Sequence, residues 1–253
     1  MALADSAGVP WEGRHFEQNV HAADDGSAPP ALIEALRRFH EGSADASVVV
    51  DAFRDSRLLI PLVAHLGEAG ENEHGHLIDK SQELSIVTVA GPDGRNVLPV
   101  FSSVTAMSRW NPDARPVPAD GMRVALAAAH EQTDLVVLDP LSDTEFVLRR
   151  PALWAIAQSQ PWLPSHLNPE VVAAMRASVS EEPAVTDIQL ASGDPAGTLA
   201  GPELTVRLAL IDGLAKPALD ATLSRLASRW AADEVIATKV DSLALQLVAS
   251  AHD

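Results

Sequence analysis

The sequence predicts an α+β, mixed α/β protein in two parts. Residues 30–180 form a mixed five-stranded sheet flanked by helices, and a smaller ββαβ domain follows over residues 184–253. Three observations carry this. Short apolar runs of strand length alternate with segments of helical period, the pattern of a sheet packed under helices. Glu181-Glu182-Pro183 interrupts that pattern, and beyond it the order becomes strand, strand, helix, strand. Finally, 253 residues with 47% apolar content suffice for one large core or two small ones.

The first 29 residues are polar, a flexible arm whose apolar anchors are Trp11 and Phe16. From Ala31, Leu32, Leu36 and Phe39 step along one helical face, and Gly42 ends the helix. Ser43 is placed to cap a second helix, with Val49, Ala52 and Phe53 on one side. Arg57–Ala64 reads as a buried strand in which Pro61 predicts an edge or a bulge. The Gly-, Glu- and His-rich stretch after it has no periodicity and reads as a long loop. A strand from Glu83, the turn Pro92-Asp93-Gly94 and a strand at Asn96–Phe101 predict a hairpin.

Residues 97–118 change backbone three times. A strand meets a capping serine pair, a short helix ends at Trp110-Asn111-Pro112, and Pro116 and Pro118 stiffen an extended segment. The next helix sets Met122, Leu126 and Ala129 on one face. Strands from Asp134 and Thr144 are joined by a tight turn at Pro140-Leu141-Ser142-Asp143, and Pro151 opens a helix through Gln158. Asn168-Pro169-Glu170 supplies an N-cap, a first-turn proline and a first-turn acid for a helix with Val172, Met175 and Val179 inward. In the C-terminal part, Leu219, Leu223, Leu226 and Trp230 step by 4, 3 and 4 between two alternating strands.

Chemistry is sparse. The chain has no cysteine, which excludes disulfides, thiolate nucleophiles and zinc–cysteine sites. A net charge of −17 opposes binding to nucleic acid, and no run reaches the ~20 apolar residues of a membrane span. The N-terminus lacks the basic and apolar regions of a signal peptide, so a cytoplasmic location is expected. Glu73, His74 and His76 are the one metal-like cluster, but their spacing matches no metalloenzyme signature, so a solvated loop is expected there. No nucleophile elbow, phosphate loop or diagnostic acid–base pair is present, and we therefore name no catalytic residue, metal or cofactor.

What stands out is the corner. Trp and Arg dominate binding hot spots, and prolines lose little entropy on contact. Trp110, Asn111, Pro112, Arg115, Pro116 and Pro118 are thus the candidate binding residues, in a non-enzymatic module whose partner is another protein. The other reading is an enzyme or small-molecule sensor for an amino-acid-like metabolite, with Arg115 receiving the carboxylate.

The runs LPVFSSVTAMSRWNPDARPVP, LVVLDP and FVLRRPALWAIAQ resemble actinobacterial members of the SseB family, named for enhanced serine sensitivity. The resemblance covers about residues 30–165, and the tail from Val185 is similar to the family's separate C-terminal domain. It implies a cytoplasmic, two-domain bacterial protein and brings no cofactor or catalytic residue with it.

Overall fold

Proline opens the first helix. The structure, a computed structural model, describes residues 24–66 and 82–249. Trp11, Phe16 and the Glu73–His76 cluster lie outside the described residues. Helix α1 (Pro30–His40) carries Pro30 in its first turn, where a missing N–H costs nothing, and buries Leu32, Ala35 and Leu36. Gly42 turns the chain at φ +69°, a left-handed conformation natural to glycine. Ser43 bonds back to the Arg38 carbonyl and so closes α1. It does not open α2 (Ser47–Arg54), whose N-cap is Ala46 and whose first N–H goes to Asp45.

Two sheets replace the predicted single sheet. In the first, β1 (Arg57–Leu66) lies between β2 (Gln82–Ile86) and β5 (Arg115–Asp120), antiparallel to both. The second has the order β3 (Val89–Ala90), β4 (Asn96–Val100), β6 (Leu135–Leu138), β7 (Phe146–Arg149), with β4 and β6 parallel. Leu59 and Phe101 exchange two backbone hydrogen bonds and join the sheets. The run from Glu83 is therefore no single hairpin arm, since β2 pairs with β1 and β3 alone pairs with β4.

Pro61 sits inside a central strand, and backbone alternation explains how. Leu59 points its N–H toward Phe101, so Pro61 faces the same side, where the β2 ladder ends at Leu62↔Ile86. The proline occupies the gap between the end of β4 and the end of β2, where no donor is required.

Between β4 and β6 the chain runs through α3 (Val104–Trp110), β5 and α4 (Gly121–His130). The buried face of α4 is Gly121, Val124, Ala125 and Ala128, while the predicted face is outward: Met122 and Leu126 are 37% and 54% exposed. Small residues win because the backbones nearly touch, a Cβ on Gly121 lying 2.4 Å from the Phe53 carbonyl oxygen. Gly121→Ala should destabilise the fold by about 1–3 kcal/mol, read as a lower urea midpoint. Helix α5 (Arg150–Ala157) then packs Ala152, Leu153 and Ile156 into the same core.

The remainder has its own core. Helix α6 (Pro169–Val179) is capped by the Asn168 side chain, which accepts from Glu170 and Val171 N–H groups. It is followed by β8 (Val185–Ser192), β9 (Leu204–Leu210), α7 (Lys216–Ala232), α8 (Glu234–Lys239) and β10 (Leu243–Ala249). The central strand β9 is antiparallel to β8 and parallel to β10. Val171 and Met175 of α6 pack with Leu204, Val206, Leu208, Leu226 and Trp230, so α6 shares the C-terminal core. The buried Glu182 carboxylate receives Arg225 through two nitrogens, and Arg229 approaches to 3.0 Å.

Candidate functional site

The carboxyl ends of the parallel strands β4 and β6 open on one side into a cleft of about 440 Å³. Open α/β sheets place binding sites at such strand ends. The floor is a polar knot. Asp139, just past β6, is buried with φ +46°, and its N–H bonds the Val100 carbonyl at 2.9 Å. Its carboxylate accepts the Ser102 N–H at 2.8 Å, the Ser102 hydroxyl at 2.6 Å and the Thr144 hydroxyl at 2.9 Å. Three donors replace a cation. Ser102 is 2% exposed, so the Ser–Asp pair holds the floor together and presents no nucleophile. Ser103 caps α3 by accepting the Ala106 N–H.

One wall is a locked turn. The Ser142 hydroxyl donates to the Asp139 carbonyl at 2.7 Å, and the Leu141 N–H donates to the Glu145 carboxylate at 2.7 Å. Held by these bonds, Leu141 adopts φ +64° and leaves its side chain 90% exposed. Left-handed backbone is unfavourable for a leucine by about 1–2 kcal/mol. Backbone strain of this kind clusters at functional sites, and here it holds a large apolar side chain in solvent.

The opposite wall is α3, with Arg109 and Trp110. Trp110 is half-buried, its ring 5.3 Å from that of Phe101, in a small cluster with Leu59, Met107 and Ala114. It therefore both plugs the corner and lines the cleft.

The other predicted binding residues leave the cleft. Asn111 ends α3, and its side chain accepts the Asp113 N–H at 3.0 Å, which is turn chemistry. Pro112 is exposed on that turn. Arg115, Pro116 and Pro118 belong to β5, the outer strand of its sheet. Arg115 is exposed and has no carboxylate in ion-pairing range among the described residues. Because Leu59 and Pro61 face away from β5, Ile60 and Leu62 face it. Val117 and Arg115 are their partners, and Pro116 and Pro118 point to the open edge. Prolines there remove the N–H groups that would template another strand. The proline segment is thus explained as edge protection.

The sequence reading took the serine pair at 102–103 as a helix cap and Pro140-Leu141-Ser142-Asp143 as a turn; it missed that Ser102 packs on Asp139 and that Leu141 is turned outward, because a turn signal conveys neither handedness nor a contact 37 residues away.

A second concentration of polar groups lies where the two cores meet. Arg149, 7% exposed at the end of β7, donates to Asp194 at 2.7 Å, to the Gly201 carbonyl at 2.7 Å, to Asp241 at 3.2 Å and to Ser242 at 3.3 Å. Arg95 grips Asp241 through both terminal nitrogens, at 2.9 and 3.0 Å. Burial raises the Asp241 carboxyl, but Arg95 and Arg149 outweigh it and hold the group below its ordinary range. The β8–β9 loop adds a backbone bond to this junction, from the Val147 N–H to the Gly197 carbonyl at 2.7 Å.

Among the described residues no group of three or more His, Asp or Glu side chains is gathered to hold a metal, and no helix is long and apolar enough to cross a membrane. Residues 32–155 match the family model described as SseB protein N-terminal domain. No curated protein and no solved structure matches the chain.

Proposed function

From an SseB protein N-terminal domain at residues 32–155, which places the chain in the SseB family, we propose a cytoplasmic, non-enzymatic module that binds another protein through the rim of the β4–β6 cleft. Leu141 carries this reading, a leucine kept outward by two specific hydrogen bonds in a conformation it disfavours. Trp110 faces it across the cleft as the second apolar contact. A partner that receives Leu141 in an apolar pocket gains about 1.5–3 kcal/mol from that side chain alone. The sequence from Val185 to the C-terminus acts as the family's second domain.

The test compares stability with capture. Leu141→Asn suits left-handed backbone and should leave the melting temperature unchanged or slightly raised. It should weaken capture of the partner from native lysate, and of the same partner once purified, by tenfold or more. Arg115→Ala, away from the cleft, should alter neither. Capture that persists undiminished in Leu141→Asn and in Trp110→Phe would remove the case for this surface.

A further inference from the structure

A strand edge is where one chain can template another, and proteins block such edges with prolines, charges, bulges or covering chain. Most edges described here are blocked. Pro116 and Pro118 close β5, the β8–β9 loop bonds the outer side of β7, and β3 has only two residues. Strand β2 is short and carries Glu83, and β8 carries Asp187 beside a bulge. Strand β10 has none of these devices. It runs for seven residues, Leu243–Ala249, in unbroken register at the end of its sheet, with no charge, proline or bulge.

The ladder shows which backbone groups are left over. The Leu204 N–H donates to the Ser242 carbonyl at 3.0 Å, and Leu243 pairs with Leu204 in parallel register. Alternation then turns the N–H and C=O groups of Ala244, Gln246 and Val248 toward β9, and those of Leu243, Leu245 and Leu247 toward the open side. No described residue bonds them there. Side chains alternate as well. Leu243 and Leu245 pack on the C-terminal core, so Leu247 lies on that side, where it is 45% exposed. Ala244, Gln246 and Val248 lie on the opposite face.

Such an edge accepts a strand, and the residues of β10 suit a copy of itself. Antiparallel pairing about a two-fold axis at Gln246 sets Leu245 of each copy opposite Leu247 of the other, and Ala244 opposite Val248. The exposed Leu247 is thereby covered by a leucine. At the axis Gln246 meets Gln246. Its Oε1 accepts from Arg207 Nε at 3.1 Å, and its Nε2 has no partner among the described residues. An amide oxygen has two lone pairs, so each Nε2 has an acceptor in the Oε1 of the other copy. Charge agrees with this. A chain of net charge −17 repels its copies wherever acids oppose, and this strand carries no acid.

We propose that β10 is a homodimerisation edge, across which two copies pair antiparallel about Gln246 and join two three-stranded sheets into one of six. The contact uses the same strand on both sides, so it closes at two copies. A single strand from each copy covers less than the roughly 800 Å² per partner of a standard interface, so the dimer should dissociate in the micromolar range. The β4–β6 cleft takes no part in it, and the two proposals stand or fall separately.

Sedimentation equilibrium of the full chain, over a micromolar-to-millimolar concentration series, should give a monomer–dimer equilibrium with no larger species. Leu247→Pro removes an N–H on the open side and none that bonds β9, so far-ultraviolet circular dichroism should be unchanged. It should weaken the dimer tenfold or more. The register has its own test, independent of the proline variant, because the chain has no cysteine to confuse a cross-link. Gln246→Cys brings the two new thiols together across the axis, with Cα atoms about 4.5 Å apart, and mild oxidation should link the copies. Ala244→Cys, on the same face, leaves its two thiols about 13 Å apart along the paired strands and should not link them. A chain that stays monomeric throughout the series overturns the proposal. So does a Leu247→Pro dimer as tight as the unaltered one, and so does Ala244→Cys linking as readily as Gln246→Cys.

Discussion

Arg149→Met should cost the folded chain about 3–5 kcal/mol, the largest loss expected from any single substitution at the junction between the two cores. The figure follows from what would be left behind. Asp194 would keep only backbone donors, from Thr198 and Leu199, around a buried carboxylate. Asp241 would keep Arg95 and the Ser242 hydroxyl. Methionine matches the volume of the arginine stem, so the loss reports the stranded charge. Urea unfolding at neutral pH measures it, and adding Asp194→Asn should return part of the loss, since the second change removes the stranded carboxylate. A cost below about 1 kcal/mol would mean that the guanidinium behaves as a solvated surface group.

Acid should act on the same junction. Asp241 is held below its ordinary value of 3.8, so its contribution is fully present above that pH. It is lost as pH falls through the depressed folded value. Glu182, lowered from 4.5 chiefly by the Arg225 hydrogen bonds, follows the same sign. Stability measured down a pH series should therefore decline on the acid side of about 4, and the acid slope should flatten when Arg149 is replaced.

The second large effect is expected at Asp139. Asp139→Ala removes the acceptor for the Ser102 N–H and for two hydroxyls, and leaves an alanine at φ +46°. The buried amide cannot find water, and hydrogen bonds to a charged acceptor contribute about 1.5–3 kcal/mol each. A loss of about 3 kcal/mol or more is expected, because the hydroxyls can turn to other acceptors but the amide cannot. Asp139→Asn tolerates the left-handed backbone and should be milder. Both should weaken partner capture beyond what unfolding explains, since the Leu141 turn is anchored on the Asp139 carbonyl through Ser142. A variant that is destabilised yet captures its partner normally would separate the floor of the cleft from its rim.

Much of the fold was legible because it rests on short-range rules. The predicted stepping from Leu219 to Trp230 falls within helix Lys216–Ala232, Pro151 sits in the first turn of α5, and Asn168 caps α6 as its order with Pro169 and Glu170 requires. The resemblance over about residues 30–165 agrees with the matched domain at 32–155. The failures share a cause. Helix α4 is apolar nearly all round, so periodicity could not tell leucine from alanine, and the close approach at Gly121 chose the alanines. The segment from Arg115 was read as extended but not as a strand, since prolines hide pairing that occurs through the residues between them. At the junction, Arg149 meets acids 45 and 92 residues away, a distance over which local patterning carries no information. The cleft was half visible, through Trp110. Leu141 was not, because nothing in a leucine announces a left-handed backbone.

The hydrogen bond from Val147 to Gly197 has a bearing on how this protein can be inherited. Strand β7 ends its sheet, and the side turned away from β6 is covered by chain that follows the matched family domain. Severed near residue 165, the first half would carry a bare strand edge, with the Val147 N–H and the cation of Arg149 both left without their partners. Such edges recruit other strands, and the isolated piece should cluster where the whole chain stays dispersed. A family domain is usually pictured as a transplantable part. Here the second half serves as its lid, and a genome that shuffled the first half alone would be passing on an aggregating fragment.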